Sequence, residues 1–365
     1  MADTTAATGL TVQQWDDKFF REYIQDSPFK GVMGTSENSI IQVKEDLTKK
    51  KGDTIHFALV NKLTNSATTG SNTLEGNEEA LDSRSHALTV DQRRHAVRVS
   101  VMEEQKSAIS LREAGRAQLL DWSMEDQRDL ILDALGSING VNYASASEAQ
   151  KDAWLTDNAD RVLFGAVKSN NSSNDHSASL ANIDNTADKL TPAALSLMKR
   201  MALEKRADGA PRVRPIRVAG ANRRYFTVYT NPRAFRDLKD DTTIKQAQRE
   251  VSLAKENNRL FDGGDLYWDG MIIKEIDDMD YITGAGAAGI DVGPAYLCGA
   301  QAIGFGWAKR WKTTTEEFDY GDKHGVAVGG ILGVNKLTFG KGSGDTDDLV
   351  DHGVVTGYFA AVADS

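Results

Sequence analysis

The sequence predicts an α+β fold. Stretches with helical periodicity fall mainly before Pro211, short strand-like runs and tight turns fall mainly after it, and no segment repeats internally. At 365 residues the chain has room for two or more domains. Its 32 glycines against 6 prolines predict many turns and close backbone passages without Pro-rich linkers.

Met1 to Gly9 is small and polar. Val12 to Ile24 predicts a short helix, with Trp15, Phe19 and either Phe20 or Tyr23 about one turn apart, closed by Ser27-Pro28. An aromatic arm of this kind needs a surface to lie on, its own body or a neighbouring subunit, which makes Trp15 and Phe19 contact candidates. Ser39 to Leu47 alternates as an extended segment, and Lys49-Lys50-Lys51-Gly52-Asp53 reads as a charged turn.

Thr54 to Val60 sends Ile55, Phe57 and Leu59 to one side, the period of a half-buried strand. Val97, Val99 and Val101 alternate with Arg98 and Ser100 as a second arm. Between the arms, Asn61 to His95 is polar, and Thr73 to Leu81 is its only part with apolar content. That excursion is too long for an ordinary hairpin loop, which leaves a disordered surface loop or a working surface. On the second reading Leu74, Glu75, Glu78 and Glu79 are contact candidates.

Ser110-Leu111-Arg112-Glu113 is a capping box, and Leu111, Gly115, Leu119 and Trp122 recur at helical spacing, continued by Leu130, Ala134 and Ile138. Gly136 and Gly140 are natural stops. At about 1.5 Å per residue such a helix is roughly 40 Å long. Ser147 to Val162 predicts a further helix carrying Trp154 and Leu155, and Lys168 to Asp188 an exposed loop. Thr191-Pro192 supplies an N-cap and a first-turn proline to a helix buried along Leu195, Met198 and Ala202 and ending before Asp208-Gly209. Arg223 to Tyr229 is strand-like, Asn231-Pro232 opens a short helix, and Ile244, Ala247, Val251 and Ala254 mark another. Tyr267 to Ile273 carries Asp269-Gly270, a strong hairpin signal. Gly321 to Phe339 and His352 to Val362 supply the last strands.

A formal charge of -10 and a pI near 5.2 argue against a general nucleic-acid grip, without excluding proximity to nucleic acid in a container. One cysteine, Cys298, gives no intramolecular disulfide or CxxC site. Met1 to Leu10 has no signal-peptide character, and no apolar run reaches membrane-spanning length, so the chain reads as soluble and intracellular at synthesis, without a membrane partner.

Gly284-Ala285-Gly286-Ala287-Ala288-Gly289 has the dinucleotide-binding spacing, but acidic Asp277 to Asp280 stand where a buried strand belongs and Pro294 follows too soon. The acid groups at Asp262 and Asp265, at Asp277, Asp278 and Asp280, and at Asp345, Asp347, Asp348, Asp351 and His352 lack EF-hand spacing and read as solvated loops. The histidines are scattered, His86 and His95 in the polar excursion and His176 in a loop. Arg93-Arg94-His95, close to Glu103-Glu104, points to charged contacts between protein surfaces, with Arg98 on the same arm. No catalytic residue, cofactor or metal is expected.

Gly52-Asp53-Thr54-Ile55, Leu74-Glu75-Gly76-Asn77-Glu78-Glu79 and Val90-Asp91-Gln92-Arg93-Arg94-His95-Ala96-Val97 resemble the signature run of the major head proteins of N4-like podophages, within the major capsid proteins of tailed bacteriophages. Asn231-Pro232-Arg233, Phe261 to Gly270, Leu297 to Ala302 and Asp319 to Lys323 are similar to later landmarks of that family. The resemblance implies an HK97-like fold: an N-terminal arm over 1–50, an extended β-hairpin loop over 51–102, a peripheral domain with a long spine helix over 103–210, a mainly axial domain over 211–339, and a C-terminal strand over 340–365. It implies a shell protein without enzymatic activity, assembled as hexamers and pentamers into an icosahedral head around double-stranded DNA. The implied partners are further copies of itself, a separate scaffolding protein, a portal protein and a decoration or cement protein. The implied location is the virion capsid, after synthesis in the host cytoplasm. A few families of this fold join a loop lysine to an asparagine of a neighbouring subunit, and Lys62 is the loop lysine here. The alternatives are another phage structural protein of the tail or decoration type and, more distantly, a nucleotide-dependent oxidoreductase.

Overall fold

The structure, a computed structural model, describes residues 28–48, 52–60, 63, 65–81, 83–204, 212–217, 223–252, 261–262, 265–341 and 348–364. The elements are, in order, β1 (Met33–Gly34), β2 (Ile41–Lys44), β3 (Thr54–Val60), β4 (Ser83–Thr89), β5 (Asp91–Ser100), α1 (Val101–Lys106), α2 (Leu111–Gly136), α3 (Glu148–Asn158), β6 (Val162–Phe164), α4 (His176–Ala181) and α5 (Pro192–Leu203). There follow β7 (Ile216–Arg217), β8 (Arg224–Thr230), α6 (Pro232–Asp240), α7 (Thr242–Ser252), β9 (Phe261–Asp262), β10 (Asp265–Trp268), β11 (Met271–Glu275), β12 (Val292–Cys298), β13 (Ile303–Phe318), β14 (Lys323–Lys336), β15 (Thr338–Gly340), β16 (Leu349–Asp351) and β17 (Val354–Ala360). Two compact units emerge: a smaller one with Gln92–Gln127 and Lys309–Ile331, and a larger one with the described residues of Ser27–Asp91, Arg128–Ala308 and Leu332–Ser365.

The larger unit is built on an eight-stranded sheet of order β6-β17-β12-β8-β11-β10-β9, with β7 beside β8. Its strands β12 and β17 are buried along their whole length. A strand buried on both faces must be covered on both, and the period of two divides its residues between two cores. Val355 and Phe359 pack with Leu195 and Met198 of α5 and Phe235 and Leu238 of α6. Tyr358 and Ala360 pack with Trp154 and Leu155 of α3 and Leu180 of α4. The Asp269-Gly270 turn forms as its sequence predicts: both residues have positive φ, 45° and 69°, and β10 pairs antiparallel with β11. Thr191 and Asn231 cap α5 and α6 by accepting the N–H groups of Ala194 and Ala234, each with proline in the first turn.

In the smaller unit β13, β14 and β5 lie in that order. Val97, Trp311, Val326 and Val328 of the sheet pack against Leu119 and Trp122 of α2. The start of α2 follows its sequence signal, with the Glu113 N–H donating to Ser110 Oγ at 3.5 Å, and the helix ends at Gly136 as expected.

Four expectations are corrected. The partner of β3 is β4, in register from Thr54 opposite Thr89 to Val60 opposite Ser83, and not the Val97 to Val101 arm. That arm is β5, which joins β14, and it stops at Ser100, whose hydroxyl caps α1. The excursion therefore spans 61–82. The helix placed over Ser147 to Val162 ends at Asn158, where the chain turns into β6. Lys168 to Asp188 is not an exposed loop: it contains α4 and buries His176, Ser179, Leu180, Ile183 and Asp188. Its polar residues satisfy one another; Asp188 accepts from the Ala166 and Asp184 N–H groups and from Asn170 Nδ2 at 2.9, 3.0 and 2.9 Å. Low apolar content concealed a segment held together by hydrogen bonds.

The β3–β4 hairpin is rooted in the larger unit. Ile55, Phe57 and Leu88 form a buried cluster with Leu337 and Phe339. At the end of β4 a Cβ on Gly333 would lie 2.3 Å from the Thr89 carbonyl oxygen, so the backbones approach too closely for any side chain. Gly333→Ala is expected to destabilise the subunit by about 1–3 kcal/mol through overpacking, read as a lower urea midpoint with an unchanged slope.

Candidate assembly surface

The base of the β3–β4 hairpin is held by specific contacts. His86 Nδ1 lies 3.0 Å from the Thr338 carbonyl oxygen, and its ring meets the edge of Phe339. Burial pushes the His86 pKa below its ordinary value. The Lys44 ammonium donates to the His56 carbonyl at 2.7 Å while lying over the Phe57 ring. Beyond this base the tip is exposed yet locally shaped. The Asn77 N–H donates to the Leu74 carbonyl at 2.9 Å, with Gly76 at φ 89° in the third position of the turn, as a type II turn requires. Asn65 N–H donates to Glu79 Oε2, and Gly76 N–H to Glu78 Oε2, at 2.8 and 2.7 Å.

On this polar tip Leu74 and Leu81 are 64% and 67% exposed, and Leu63 and Val60 are also exposed. Single exposed apolar side chains are ordinary, but several on one protruding acidic segment form a surface suited to a partner. Leu74, Glu75, Glu78 and Glu79 all lie exposed on this tip. Leu81, which closes the apolar stretch read from the sequence, and Leu63, which that reading passed over, are exposed on the same segment.

Arg93, Arg94 and Arg98 share β5 but not one role. Arg93 is committed within the chain: its Nε donates to Asp126 Oδ2 at 2.7 Å, its Nη2 donates to Oδ1, and Asp126 is buried. Its alternation on the strand turns it toward α2, which a reading of Arg93-Arg94-His95 as one patch overlooks. Arg94 and Arg98 are exposed. His95 of β5 meets Trp122 at a tilt, Trp122 in turn meets Trp311 edge-on, and His86 belongs to β4, so neither histidine lies in the excursion. Trp15, Phe19 and Lys62, together with Lys49 to Lys51, Asp208-Gly209, Asp345 and Asp347, lie outside the described residues.

The chemical candidates resolve into structure. Gly284 to Gly289 leads through a short turn into strand β12 rather than a helix, and the N–H groups of Gly284, Gly286 and Ala287 donate to Asp291 Oδ1, Ile290 O and Ile183 O. A pyrophosphate cradle needs such groups unspent at a helix start. Asp278 pairs with the buried Arg128 at 2.9 Å, and Asp351 with the buried Lys336 at 2.8 Å. Cys298 is buried, and burial pushes its thiol pKa up, the environment of an inert small hydrophobe. Glu148, Asp152 and Asp175 bring carboxylate oxygens within 4.8 Å of one another, but the two aspartates already accept the N–H groups of His176 and Ala178 at the start of α4.

A mixed fold with a rooted hairpin, an exposed apolar and acidic tip and a long helix is the architecture to set beside known proteins. The sequence profile of the family described as phage capsid protein matches residues 3–363, and the chain belongs to that family. The major capsid protein of Pseudomonas phage KPP25 is 29% identical over 366 residues, covering 95% of this chain and 94% of that one. Among solved structures, the cyanophage Pam1 capsid asymmetric unit has a TM-score of 0.86 at 32% identity, with both chains covered in full. The capsid of Ralstonia phage GP4 shares the fold, with a TM-score of 0.78 at 23% identity and full coverage of both chains. The HK97-like α+β fold and the function of a major capsid protein follow, and the chain is a structural component of the virion.

Proposed function

We propose that the chain assembles as hexamers and pentamers into an icosahedral head around double-stranded DNA, without enzymatic activity, and that the β3–β4 tip takes its place on a neighbouring copy. The observation that carries this reading is the exposed apolar and acidic tip, Leu63 to Leu81, on a hairpin whose base is buried in its own subunit. Isolated, the tip leaves Leu74 and Leu81 in water; repeated contacts between identical subunits cover them and let local symmetry close a shell. Under this reading the extended loop read over 51–102 narrows to the β3–β4 hairpin, with β5 outside it, while 103–210 is the peripheral domain with α2 as its spine, 211–339 mainly the axial domain, and 340–365 the returning strand. Residues 1–50, with Trp15 and Phe19, form an arm on neighbouring subunits, and Lys62 lies on the loop that reaches them. The proposal places the chain among the N4-like major head proteins, assembled in the host cytoplasm with a scaffolding protein and a portal and able to take a cement protein. The acidic balance supports a wall that lies beside DNA without adhering to it.

The test is assembly of L74D/L81D under conditions in which the wild-type chain forms shells. The variant is expected to stay folded, because both positions are exposed, and to lose at least about tenfold in sedimenting shells, as expected for about 1.4 kcal/mol or more lost per contact. Shell yield equal to wild type would remove the tip from the assembly contact.

A further inference from the structure

On the reading of the chain as a shell around double-stranded DNA, on which this inference rests, we propose that the β7–β8 hairpin holds the phosphate backbone of that DNA through Arg217, Arg223 and Arg224.

From Lys199 to Arg224 the sequence carries nine basic residues and two acidic ones, in a chain of formal charge -10. The fold gathers part of this charge on one hairpin. β7 pairs antiparallel with β8, and Arg217 stands directly opposite Arg224. Residues paired in this way project from one face with their Cβ atoms about 5 Å apart, where like charges repel. Both side chains, and that of Arg223 beside them, are exposed. None of the three guanidinium groups has an acidic partner among the described residues. The backbone beneath them is clamped: the Arg217 N–H donates to Asn38 Oδ1 at 2.9 Å, and Asn38 Nδ2 donates to the Arg217 carbonyl at 2.6 Å. The nearby acids are already engaged, Glu37 with Arg214 at 3.6 Å and Asp269 with Lys199 at 2.8 Å. Lys199 adds its charge to the same end of β8, since a Cβ on Gly270 would lie 3.6 Å from the Arg224 carbonyl oxygen and 3.7 Å from Lys199 Nζ. Two cations held against each other on a fixed ribbon are relieved by an anion that both can reach.

The chemistry selects phosphate. Guanidinium forks match phosphate oxygens bidentately. Tyr225 and Tyr267, with ring centres 5.8 Å apart, lie beside these arginines, and Arg223 acts electrostatically on Tyr267. Tyrosine hydroxyls are common donors to the DNA backbone. A protein partner would instead call for an apolar centre. Here Val213 and Phe226 are buried and Ile216 is half-buried, so the hairpin offers charge and hydrogen bonds. Duplex DNA, with one charge per about 1.7 Å of axis, presents successive phosphates to successive arginines whatever its sequence. The acidic balance keeps the wall as a whole from adhering, and this patch is a local exception to it.

The test is the affinity of the unassembled full-length chain for a labelled duplex of about 30 base pairs, read by fluorescence anisotropy between about 50 and 200 mM salt. For the wild type the slope of log affinity against log salt is expected near about -3, roughly -0.9 for each phosphate contacted. R217Q/R224Q is expected to melt like the wild type, to make the slope shallower by about two, and to bind about tenfold or more weakly at the lowest salt. R223Q, the milder change, is expected to lose about one unit of slope. R94Q/R98Q, which removes two exposed arginines elsewhere, is expected to bind like the wild type. A wild-type chain that does not bind the duplex, a slope unchanged in R217Q/R224Q, or an equal loss in R94Q/R98Q overturns the inference. So does a fall in shell yield from R217E/R224E with duplex affinity intact, which would assign the hairpin to a protein contact. The duplex measurement needs no shell. A chain that binds DNA through these arginines yet never closes shells fails the assembly reading alone, and one that closes shells while its DNA affinity ignores these arginines fails this inference alone.

Discussion

Lys336→Met is expected to destabilise the unassembled subunit by about 3–5 kcal/mol, among the largest effects of any single change. Lys336 Nζ lies 2.8 Å from Asp351 Oδ2, and both side chains are almost fully buried. The same carboxylate accepts the Trp154 indole N–H at 3.3 Å, and the Asp351 N–H donates to Asn158 Oδ1 at 2.9 Å. With the ammonium gone, Asp351 keeps its charge in a site walled by Trp154, and no water replaces the lost partner cheaply. The double variant K336M/D351L removes both charges and is expected to recover most of the loss, because the pair stabilises far less relative to an apolar pair than its breakage costs. Urea unfolding of the four chains in a double-mutant cycle reads this directly. A single variant within about 1 kcal/mol of wild type would show that Asp351 finds another partner or takes up a proton.

The pair also bears on assembly. Lys336 ends β14, and the next residues include Leu337 and Phe339, which form the floor beneath Ile55, Phe57 and Leu88. A loosened pair therefore weakens the root of the hairpin as well as the body, so K336M is expected to lower shell yield even where the subunit is still mostly folded.

Much of this was legible in sequence wherever a local signal matched its tertiary setting. The capping residues Thr191 and Asn231, the Asp269-Gly270 turn and the stripe of α2 are each decided by chemistry within a few residues. Strand pairing is not. Val97 to Ser100 alternates apolar with polar residues, whereas Ser83 to Thr89 buries only Leu88, and a period of two says nothing about which strand lies beside β3. The segment 168–188 failed for the opposite reason, since its order comes from Asp188, Asn171, Asn174 and Asp175 bonding to neighbours, which composition does not distinguish from solvation. At the candidate surface the exposed tip was legible because its leucines interrupt a polar run. The split of Arg93 from Arg94 was not, because it depends on which side of β5 faces α2.

Acidification is expected to unfold the subunit well above the range of ordinary carboxylates, through His176 and His352. Both rings are buried and their pKa values are lowered to about 4. At His176 burial dominates and Lys151 adds repulsion, outweighing the attraction of Asp152 and Asp175. At His352 burial dominates and Arg161 and Arg214 add repulsion. The unfolded chain binds these protons near pH 6.5, the folded chain only near 4, so between those values the unfolded state holds more protons and acid favours it. The stabilisation is complete above about pH 6.5 and is lost as pH falls toward 4, to the extent of about 3 kcal/mol from each histidine. His86, also lowered by burial, acts in the same direction at the hairpin root. H176Q/H352Q is expected to be less stable than wild type at neutral pH but flatter in its melting temperature between about pH 6.5 and 4. Parallel melting profiles for the two chains would assign the acid sensitivity to carboxylates instead. Because His352 and His86 both meet the edge of Phe339, protonation acts on the residue beneath the hairpin, and shells are expected to loosen at the tip contact before the subunits unfold.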